Sequence, residues 1–213
     1  MLKEILKDIK VKLDMYQDKR EQAIIICRRI LRKTRECIKN IHIQDFKKVR
    51  AIFTEIEKDI TEIWNMSKEE PKLLYSGLLN DAFKEYVEAR VFFDVFNAVI
   101  SNQEIKISTP SDLKVPEEVY ILGLSEVAGE IKREIVYMIR ENKFNVAWKM
   151  IDFLSELYNE LAKLVYPGAI IPGFKNRIDY VRIILVSSEE LLVRTMKEYK
   201  IIEILSKSKE FRS

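Results

Sequence analysis

The side-chain types in this 213-residue sequence restrict the chemistry that the chain could perform. It contains a single histidine, His42, so mechanisms that use a histidine pair as acid and base are excluded. Zinc sites built from several Cys and His ligands are excluded for the same reason. Neither glycine-rich phosphate loop, G-x-x-x-x-G-K or G-x-G-x-x-G, is present. What remains is carboxylate chemistry.

Four glutamates in unusually apolar helical stretches are the candidate catalytic and metal-binding residues: Glu85, Glu88, Glu126 and Glu130. The first two stand at the start of a mostly apolar run that extends to Ile100. A helix that is apolar on nearly every face is buried, and neighbouring carboxylates there repel each other and resist desolvation. A bound cation would relieve this repulsion, and so would a partner arginine such as Arg90 or Arg133.

The second pair of glutamates lies in a later helix, where Glu126 and Glu130 share one face. Gly77, Gly123 and Gly129 fall in the two helices that carry these acids. A mid-helix glycine costs up to about 1 kcal/mol relative to alanine, which is acceptable where two backbones approach closely. Facing helices that each bring carboxylates would form an all-oxygen site suited to Mg²⁺ or Mn²⁺. The residues alone leave this site and a buried Glu–Arg network as alternatives.

The hydrophobic pattern predicts that these residues are carried by an all-α bundle of six to seven helices, forming one domain over residues 1–213. A loop is predicted at residues 101–115, a turn that includes His42 at residues 40–43, and a frayed tail at residues 206–213. The last helix is expected to contain a break. The predicted helices cover approximately residues 2–38, 46–66, 71–100, 116–140, 145–165 and 174–205.

Composition is typical of a single helical domain, because 5 Gly and 5 Pro are too few for the turns of a sandwich or barrel. No run approaches the roughly 20 apolar residues that span a bilayer, and the charged start does not resemble a secretory signal. We therefore expect a cytoplasmic protein.

Cys27 and Cys37 would lie about 15 Å apart on one helix, beyond disulfide reach. Both are predicted to be reduced and buried.

Charge is unevenly distributed along the chain. Residues 1–50 carry 15 Lys and Arg against 7 Asp and Glu, whereas residues 51–100 carry 5 against 10. A basic segment followed by an acidic centre predicts an anionic partner and, separately, a cation site. Basic side chains of the first helix would contact phosphates without reading bases, although a merely solvated face is the alternative. These candidate contacts are Lys19, Arg20, Arg28, Arg29, Arg32, Lys33 and Arg35.

Two acidic motifs follow each other along the chain, at Lys84–Ala89 and at Leu122–Arg133. Taken in this order they resemble the translin family, and they are closer to translin-associated factor X (TRAX) than to translin itself. Lys84–Ala89 reads K-E-Y-V-E-A and is similar to the E-Y-V-E-A motif of TRAX. Leu122–Arg133 reads L-G-L-S-E-V-A-G-E-I-K-R and is similar to its L-G-V-A-D-L-T-G-E-L-M-R segment. Asp18–Glu21 matches the D-K-R-E opening of the family's basic helix.

The resemblance implies a seven-helix fold, assembly into a hollow homo-octamer and, for TRAX-type subunits, metal-dependent endoribonuclease activity. By motif, Glu85, Glu88 and Glu130 match family glutamates, and Glu126 stands where the family has aspartate. The implied reaction is hydrolysis of RNA, with Mg²⁺ or Mn²⁺ held by the carboxylates and activating a water molecule. Arg133 would offset phosphate charge, or alternatively form a salt bridge to Glu126 or Glu130.

Two other functions remain open at this stage. The first is a translin-type oligomer that binds single-stranded RNA or DNA without cleaving it and satisfies its glutamates with arginines. The second is a helical scaffold with no nucleic-acid role. The presence of all four glutamates favours the endoribonuclease, because a protein that only binds nucleic acid has no need to bury them. No membrane partner is expected.

Overall fold

The computed structural model describes residues 1–75 and 77–210, and within these ranges the chain is helical and contains no strand. This confirms the predicted all-α fold class. None of these helices combines the length and hydrophobicity that a bilayer span requires. In chain order the elements are α1 Leu2–His42, α2 Phe46–Glu69, a 3₁₀ helix Pro71–Tyr75, α3 Gly77–Ile100, α4 Pro110–Leu113, α5 Glu117–Arg140, α6 Phe144–Ala162 and α7 Phe174–Glu210.

The chain divides into two compact units. The first comprises residues 1–90 and 108–123, and the second comprises residues 91–107 and the chain from residue 124 onwards. The division falls within α3 and within α5, so each of these helices contributes one segment to the first unit and one to the second. The single domain predicted over residues 1–213 stays a prediction.

In the first unit, α1 and α2 pack together through large apolar side chains. Ile30 and Ile41 of α1 and Phe53 of α2 are at most 1% exposed. The Tyr86 ring of α3 meets Phe53 edge-on, with ring centroids 6.1 Å apart. The first half of α1 contributes little to this core, because every residue before Ala23 is partly or fully exposed. The anchored part of α1 is therefore its second half.

In the second unit, α6 and α7 are the main packed pair. Met150 and Leu154 of α6 and Val181 and Leu192 of α7 are fully buried. Burying side chains of this size contributes about 1.5–3 kcal/mol each, so this seam supplies much of the unit's stability. It also holds α7 in place along its length, which determines where the polar side chains of α7 lie.

The junction between α1 and α2 corrects one predicted boundary. The turn predicted at residues 40–43 is wrong, because α1 continues through His42. Ile41 is fully buried, and a helical conformation keeps it facing the core. The chain turns instead at Gln44, which has a left-handed φ of 60°. Asp45 then caps α2, as predicted, by accepting a hydrogen bond from the backbone amide three residues later at 3.1 Å.

A short helix, α4, lies inside the loop predicted at residues 101–115. Its cause is a capping box: the Thr109 hydroxyl accepts from the Asp112 amide at 3.2 Å, and the Asp112 carboxylate accepts from the Thr109 amide at 2.8 Å. Donation from the Thr109 hydroxyl and amide holds the pKa of Asp112 below its usual value. Lys114 ends the helix with a φ of 54°.

Three further predicted helix ends also differ from the structure. The helix predicted to open at Pro71 begins at Gly77 instead, after a 3₁₀ helix in which the Leu73 amide bonds to a carbonyl three residues back at 3.1 Å. Helix α6 ends at Ala162 and not near residue 165, because the next two backbone amides bond to carbonyls three residues back. The last helix, α7, shows no break through Glu210, because residues 174–210 contain neither glycine nor proline. The predicted tail is thus helical over 206–210, and residues 211–213 lie outside the described residues.

Both cysteines are buried and free, which confirms the prediction made for them. Burial raises the pKa of the Cys27 thiol to about 11. Burial likewise raises the pKa of Cys37 to about 12. Both thiols are therefore neutral near pH 7 and behave as small apolar side chains.

Gly123 is the point where α5 packs closely on α3 within the first unit. A Cβ at this position would lie 2.6 Å from the Lys84 carbonyl oxygen and 2.7 Å from Val87 Cβ. The close backbone approach predicted from the glycines is therefore present at Gly123. At Gly77, by contrast, a Cβ would meet no atom within 4 Å.

We expect Gly123→Ala to destabilise the protein by about 1–3 kcal/mol, since the added methyl group must displace a backbone carbonyl and a β-branched side chain. Gly77→Ala is the matched control, because its methyl group has space and alanine is the better helix former. Its stability should be equal to or above that of the wild type. Midpoints of urea denaturation measure both changes. Equal midpoints for all three proteins would contradict the close contact.

Candidate functional site

Glu126 lies on α5 at the edge of the second unit's core. Its neighbours Ser125 and Val127 are fully buried, and its own side chain is 16% exposed. The Arg177 guanidinium of α7 donates a hydrogen bond to Glu126 Oε1 and forms an ion pair with it. Arg177 is absent from the sequence-based candidates, because it lies 51 residues further along the chain and only the fold brings it to α5.

A second side chain of α7 packs on the same segment of α5. The Tyr180 hydroxyl lies so close to Gly129 that a Cβ there would be 2.7 Å from it. Arg177 and Tyr180 are three residues apart and share a face of α7, as Glu126 and Gly129 do on α5. Gly129 thus makes room for a tyrosine of α7. This is a different neighbour from the one expected, which was a glutamate-bearing helix.

Glu130 lies one turn after Glu126 on α5, and its side chain is 21% exposed. Arg133 Nη1 is 3.7 Å from Glu130 Oε2, so the salt-bridge alternative for Arg133 is present in the structure. A hydrogen bond with Tyr137 raises the pKa of Arg133, and the nearby carboxylates of Glu130 and Glu134 raise it further. The Arg133 side chain is 54% exposed, so its guanidinium also faces solvent.

Glu134 is a third acid in this row and is not among the sequence-based candidates. It is only 1% exposed, which makes it more buried than Glu126 or Glu130. Its sequence signal is the four-residue spacing from Glu130. That signal is weak, because carboxylates at helical spacing recur often in a chain with 34 Asp and Glu.

Glu85 and Glu88 lie on α3 in the first unit, and both are partly buried. The intervening residues Tyr86 and Val87 are fully buried, as the apolar pattern predicted. The two glutamates are three residues apart and therefore neighbours on the helix surface. The structure thus places this pair at the border between the core and the surface of its unit.

Arg90, one of the predicted partners for the glutamates, makes contacts around α4 and α2. Its Nε donates to Ser108 Oγ at 3.1 Å, and its guanidinium lies 5.1 Å from the Phe53 ring centroid. Arg90 Nη1 is also 3.7 Å from Glu57 Oε1. The Tyr120 hydroxyl donates to the Ser108 carbonyl at 2.8 Å. These bonds fasten the segment before α4 to the first unit.

The four candidate glutamates are divided between the two units, with Glu85 and Glu88 in the first and Glu126 and Glu130 in the second. Among the described residues, no three His, Cys, Asp or Glu side chains are grouped so that they could hold a metal ion. Glu126 already has a guanidinium as its ionic partner. Metal binding by these glutamates stays a prediction.

A row of exposed arginines follows one face of α1 in the first unit. Arg28, Arg32 and Arg35 are spaced by four and three residues, which places them on the same side of the helix. In the part of the chain that the structure describes, none of these three forms an ion pair with a carboxylate. Arg20, one of the predicted contacts, is exposed as well, and Lys39 continues the row.

The other three predicted phosphate contacts are engaged in ion pairs with α2 and its end. Arg29 Nη2 lies 2.6 Å from Asp59 Oδ1, and Lys33 Nζ lies 2.9 Å from Asp59 Oδ2. The hydrogen bond to Asp59 raises the pKa of Arg29. Lys19 Nζ lies 2.8 Å from Glu69 Oε2. Because the Asp59 side chain is only 8% exposed, Arg29 and Lys33 act here as its counter-ions.

Comparison with known proteins gives consistent results. The family model described as Translin family matches residues 3–192. An uncharacterised protein of Methanocaldococcus jannaschii is 26% identical over 193 residues, which cover 88% of this chain and 81% of the relative.

Solved structures with the same fold include AfC3PO in complex with duplex RNA, with a TM-score of 0.78 and 20% identity over 91% of this chain and 97% of that chain. They also include apo-NeC3PO, with a TM-score of 0.76 and 21% identity over 89% and 96% of the two chains. At these identities the structural likeness establishes the fold.

Asp59→Ala removes the shared acceptor of Arg29 and Lys33 and leaves two neighbouring cations beside the core. We expect a loss of about 3 kcal/mol in the free energy of unfolding. Glu62→Ala is the control, because Glu62 also binds Arg29, at 2.9 Å, but is 55% exposed. Its loss should stay below about 1 kcal/mol. Urea denaturation compares the two, and similar losses would show that the Asp59 pairing is not structural.

Proposed function

The chain belongs to the translin family, and on this premise we propose that it is an oligomeric RNA-binding protein with endoribonuclease activity of the TRAX type. The main support for RNA binding is the row of exposed arginines on α1, at Arg28, Arg32 and Arg35. Single-stranded or structured RNA is the proposed ligand, and the same contacts would accept single-stranded DNA. A protein of the same fold, AfC3PO, has been solved with duplex RNA.

The electrostatics of α1 support phosphate recognition. Arg29 and Lys33 neutralise Asp59, so the acids of α2 consume part of the positive charge on α1. The exposed arginines remain without carboxylate partners among the described residues and keep their charge towards solvent. Guanidinium groups bind phosphate oxygens in bidentate fashion. Contacts of this kind position a nucleic acid without reading its bases.

Exposed apolar side chains at both ends of the chain support assembly, and we propose a homo-octamer. In α1 of the first unit, Leu2, Ile5, Leu6 and Ile9 are 46–69% exposed. In α7 of the second unit, Ile201, Ile202, Ile204 and Leu205 are 57–67% exposed. Contiguous apolar patches on a protein surface are typical of protein–protein contacts, which is the support for assembly.

Endoribonuclease activity is the second and more specific part of the proposal. It assigns Glu85, Glu88, Glu126 and Glu130 as the catalytic carboxylates and Mg²⁺ or Mn²⁺ as the cofactor. The support for it is the ordered pair of acidic motifs, which resemble those of TRAX. The alternative is a translin-type protein that binds without cleaving. The Arg177–Glu126 ion pair favours that alternative, since it satisfies one of the four acids without a metal.

The combined substitution of Arg28, Arg32 and Arg35 by Gln should weaken RNA binding and reduce the slope of log K against log[salt] by about 2, as expected for three lost phosphate contacts on a single strand. The matched control replaces the exposed Arg194, Lys197 and Lys200 of α7 by Gln, which changes the net charge equally. Fluorescence anisotropy with a labelled RNA at several salt concentrations measures both. An equal effect of the two triple variants would contradict the assignment of α1.

Cleavage should appear with Mg²⁺ or Mn²⁺, disappear with EDTA, and fall about 100-fold or more in Glu126→Gln, because a ligand to the metal would be lost. Glu118→Gln, an exposed glutamate in the first turn of the same helix, is the control and should cleave normally. Gel analysis of a labelled RNA provides the measurement. Tight binding without metal-dependent cleavage would instead establish the translin-type alternative, and undiminished cleavage by Glu126→Gln would remove Glu126 from the site.

A further inference from the structure

A cavity of about 370 Å³ opens in the first unit between α1, the 3₁₀ helix and the start of α3. Its apolar wall is formed by Ala23 and Cys27 of α1 and Leu73 of the 3₁₀ helix, all of them at most 6% exposed. This volume is near the lower end of the range for pockets that bind small ligands. The cavity therefore has room for one group of moderate size that has an apolar face.

Two cationic side chains and a tyrosine supply the polar part of the same lining. They are Arg20 and Tyr16 of α1 and Lys72 of the 3₁₀ helix. Lys72 Nζ lies 5.7 Å from the centroid of the Tyr16 ring, and this contact holds the ammonium group beside the cavity. In the part of the chain that the structure describes, neither Arg20 nor Lys72 forms an ion pair with a carboxylate. The cavity thus combines an apolar wall with two positive charges that can bind an anion.

The cavity lies at one end of the arginine row on α1. Arg20, Ile24, Arg28 and Arg32 follow one another at four-residue spacing and therefore form one ridge of the helix. Arg20 and Ile24 line the cavity, whereas Arg28 and Arg32 belong to the exposed row proposed to contact phosphates. A strand bound along this ridge would reach the cavity with its end.

A second cavity, of about 260 Å³, adjoins the first and shares Tyr16 and Lys72 with it. Its lining includes two carboxylates, those of Glu69 and Glu70 at the end of α2. A phosphate backbone that continued past the first cavity would meet this negative charge. The charges therefore favour a strand that ends in the first cavity over one that passes through it.

We propose that the first cavity binds the phosphorylated terminal nucleotide of an RNA strand. This inference rests on the proposed function, in which α1 contacts the RNA backbone. The terminal base packs against the apolar wall. The terminal phosphate is bound by Arg20 in bidentate fashion and by Lys72 as a point charge. A terminal phosphate carries up to about two negative charges near pH 7, whereas each phosphate within a strand carries a single one, so two cations match the terminal group.

The test compares the affinity of the full chain for single-stranded RNAs of one sequence that differ only at their ends. One RNA ends in hydroxyl groups, one carries a 5′-phosphate and one carries a 3′-phosphate. Fluorescence anisotropy with an internal label gives the dissociation constants, and EDTA prevents metal-dependent cleavage. The wild type should bind a phosphorylated RNA about tenfold more tightly than the hydroxyl-ended RNA, as expected for an added charge-assisted contact.

Two variants and a matched control assign this preference to the cavity. Arg20→Gln combined with Lys72→Gln removes both cations and should abolish the preference. Lys3→Gln combined with Lys7→Gln removes two exposed cations of α1 outside the cavity and should leave the preference intact.

Gly77→Leu tests the cavity without changing the charge. Gly77 lines the cavity, and a Cβ there would meet no atom within 4 Å, so a larger side chain can take up free space without displacing the core. This variant should also lose the preference, and circular dichroism melts establish that each protein is folded. The inference is overturned if the wild type shows no preference, if the preference survives in either cavity variant, or if the lysine control loses it equally.

Free adenosine monophosphate distinguishes an RNA end from a free nucleotide as the ligand. It should compete with the labelled RNA about 100-fold more weakly than unlabelled phosphorylated RNA does, because it lacks the linked contacts along α1. Equal competition would overturn the RNA end as the ligand. RNA binding without a preference for a phosphorylated end overturns this inference alone, whereas failure of every RNA to bind overturns the RNA-binding proposal itself.

Discussion

A carboxylate that is withdrawn from water between packed helices must find positive charge, and this requirement organises both units of the protein. An unpaired buried charge costs several kcal/mol, so each such acid constrains the helix that carries its partner. In the first unit, Asp59 of α2 is held by Arg29 and Lys33 of α1. In the second unit, Glu126 of α5 is held by Arg177 of α7. The ion pairs thus link helices that also share apolar seams.

The same requirement divides the basic residues of α1 into two groups with different roles. Side chains that face α2 are used to neutralise its acids, as the short Arg29 and Lys33 contacts with Asp59 illustrate. Side chains on the outer face, such as Arg28 and Arg32, are exposed to solvent and form the proposed phosphate-binding surface. A count of charges along the chain cannot separate these groups. The helical phase can do so only once the face that packs against α2 is identified.

In the proposed function, the state of Glu126 links structure to chemistry. A carboxylate paired with a guanidinium is stable within the folded subunit without a metal ion. The proposed binding of nucleic acid through α1 and the proposed hydrolysis through the glutamates therefore place different demands on the subunit. The first needs only exposed positive charge, whereas the second needs carboxylates whose charge is not already compensated.

Local features were predictable from the sequence because they depend on residues a few positions apart. The helical periodicity, the Asp45 cap of α2 and the burial of the α3 stretch around Tyr86 follow from such short-range patterns. The capping box at Thr109 was equally visible in the sequence, although it lies in a stretch interpreted as a loop. Helix ends such as that of α1 were less predictable, because burial of Ile41 extended the helix past a turn-like segment.

The partners of the charged side chains were decided only by the tertiary structure. Apolar helical surroundings and flanking glycines singled out Glu126 and Glu130 and raised arginine partners as an alternative to a metal. Nothing in the local sequence connects Glu126 with Arg177, which lies two helices further along the chain. The physical reason is that an ion pair depends on the distance between atoms in space. That distance is determined by how α7 packs, through Phe174, Tyr180 and Val181, and not by any pattern near either residue.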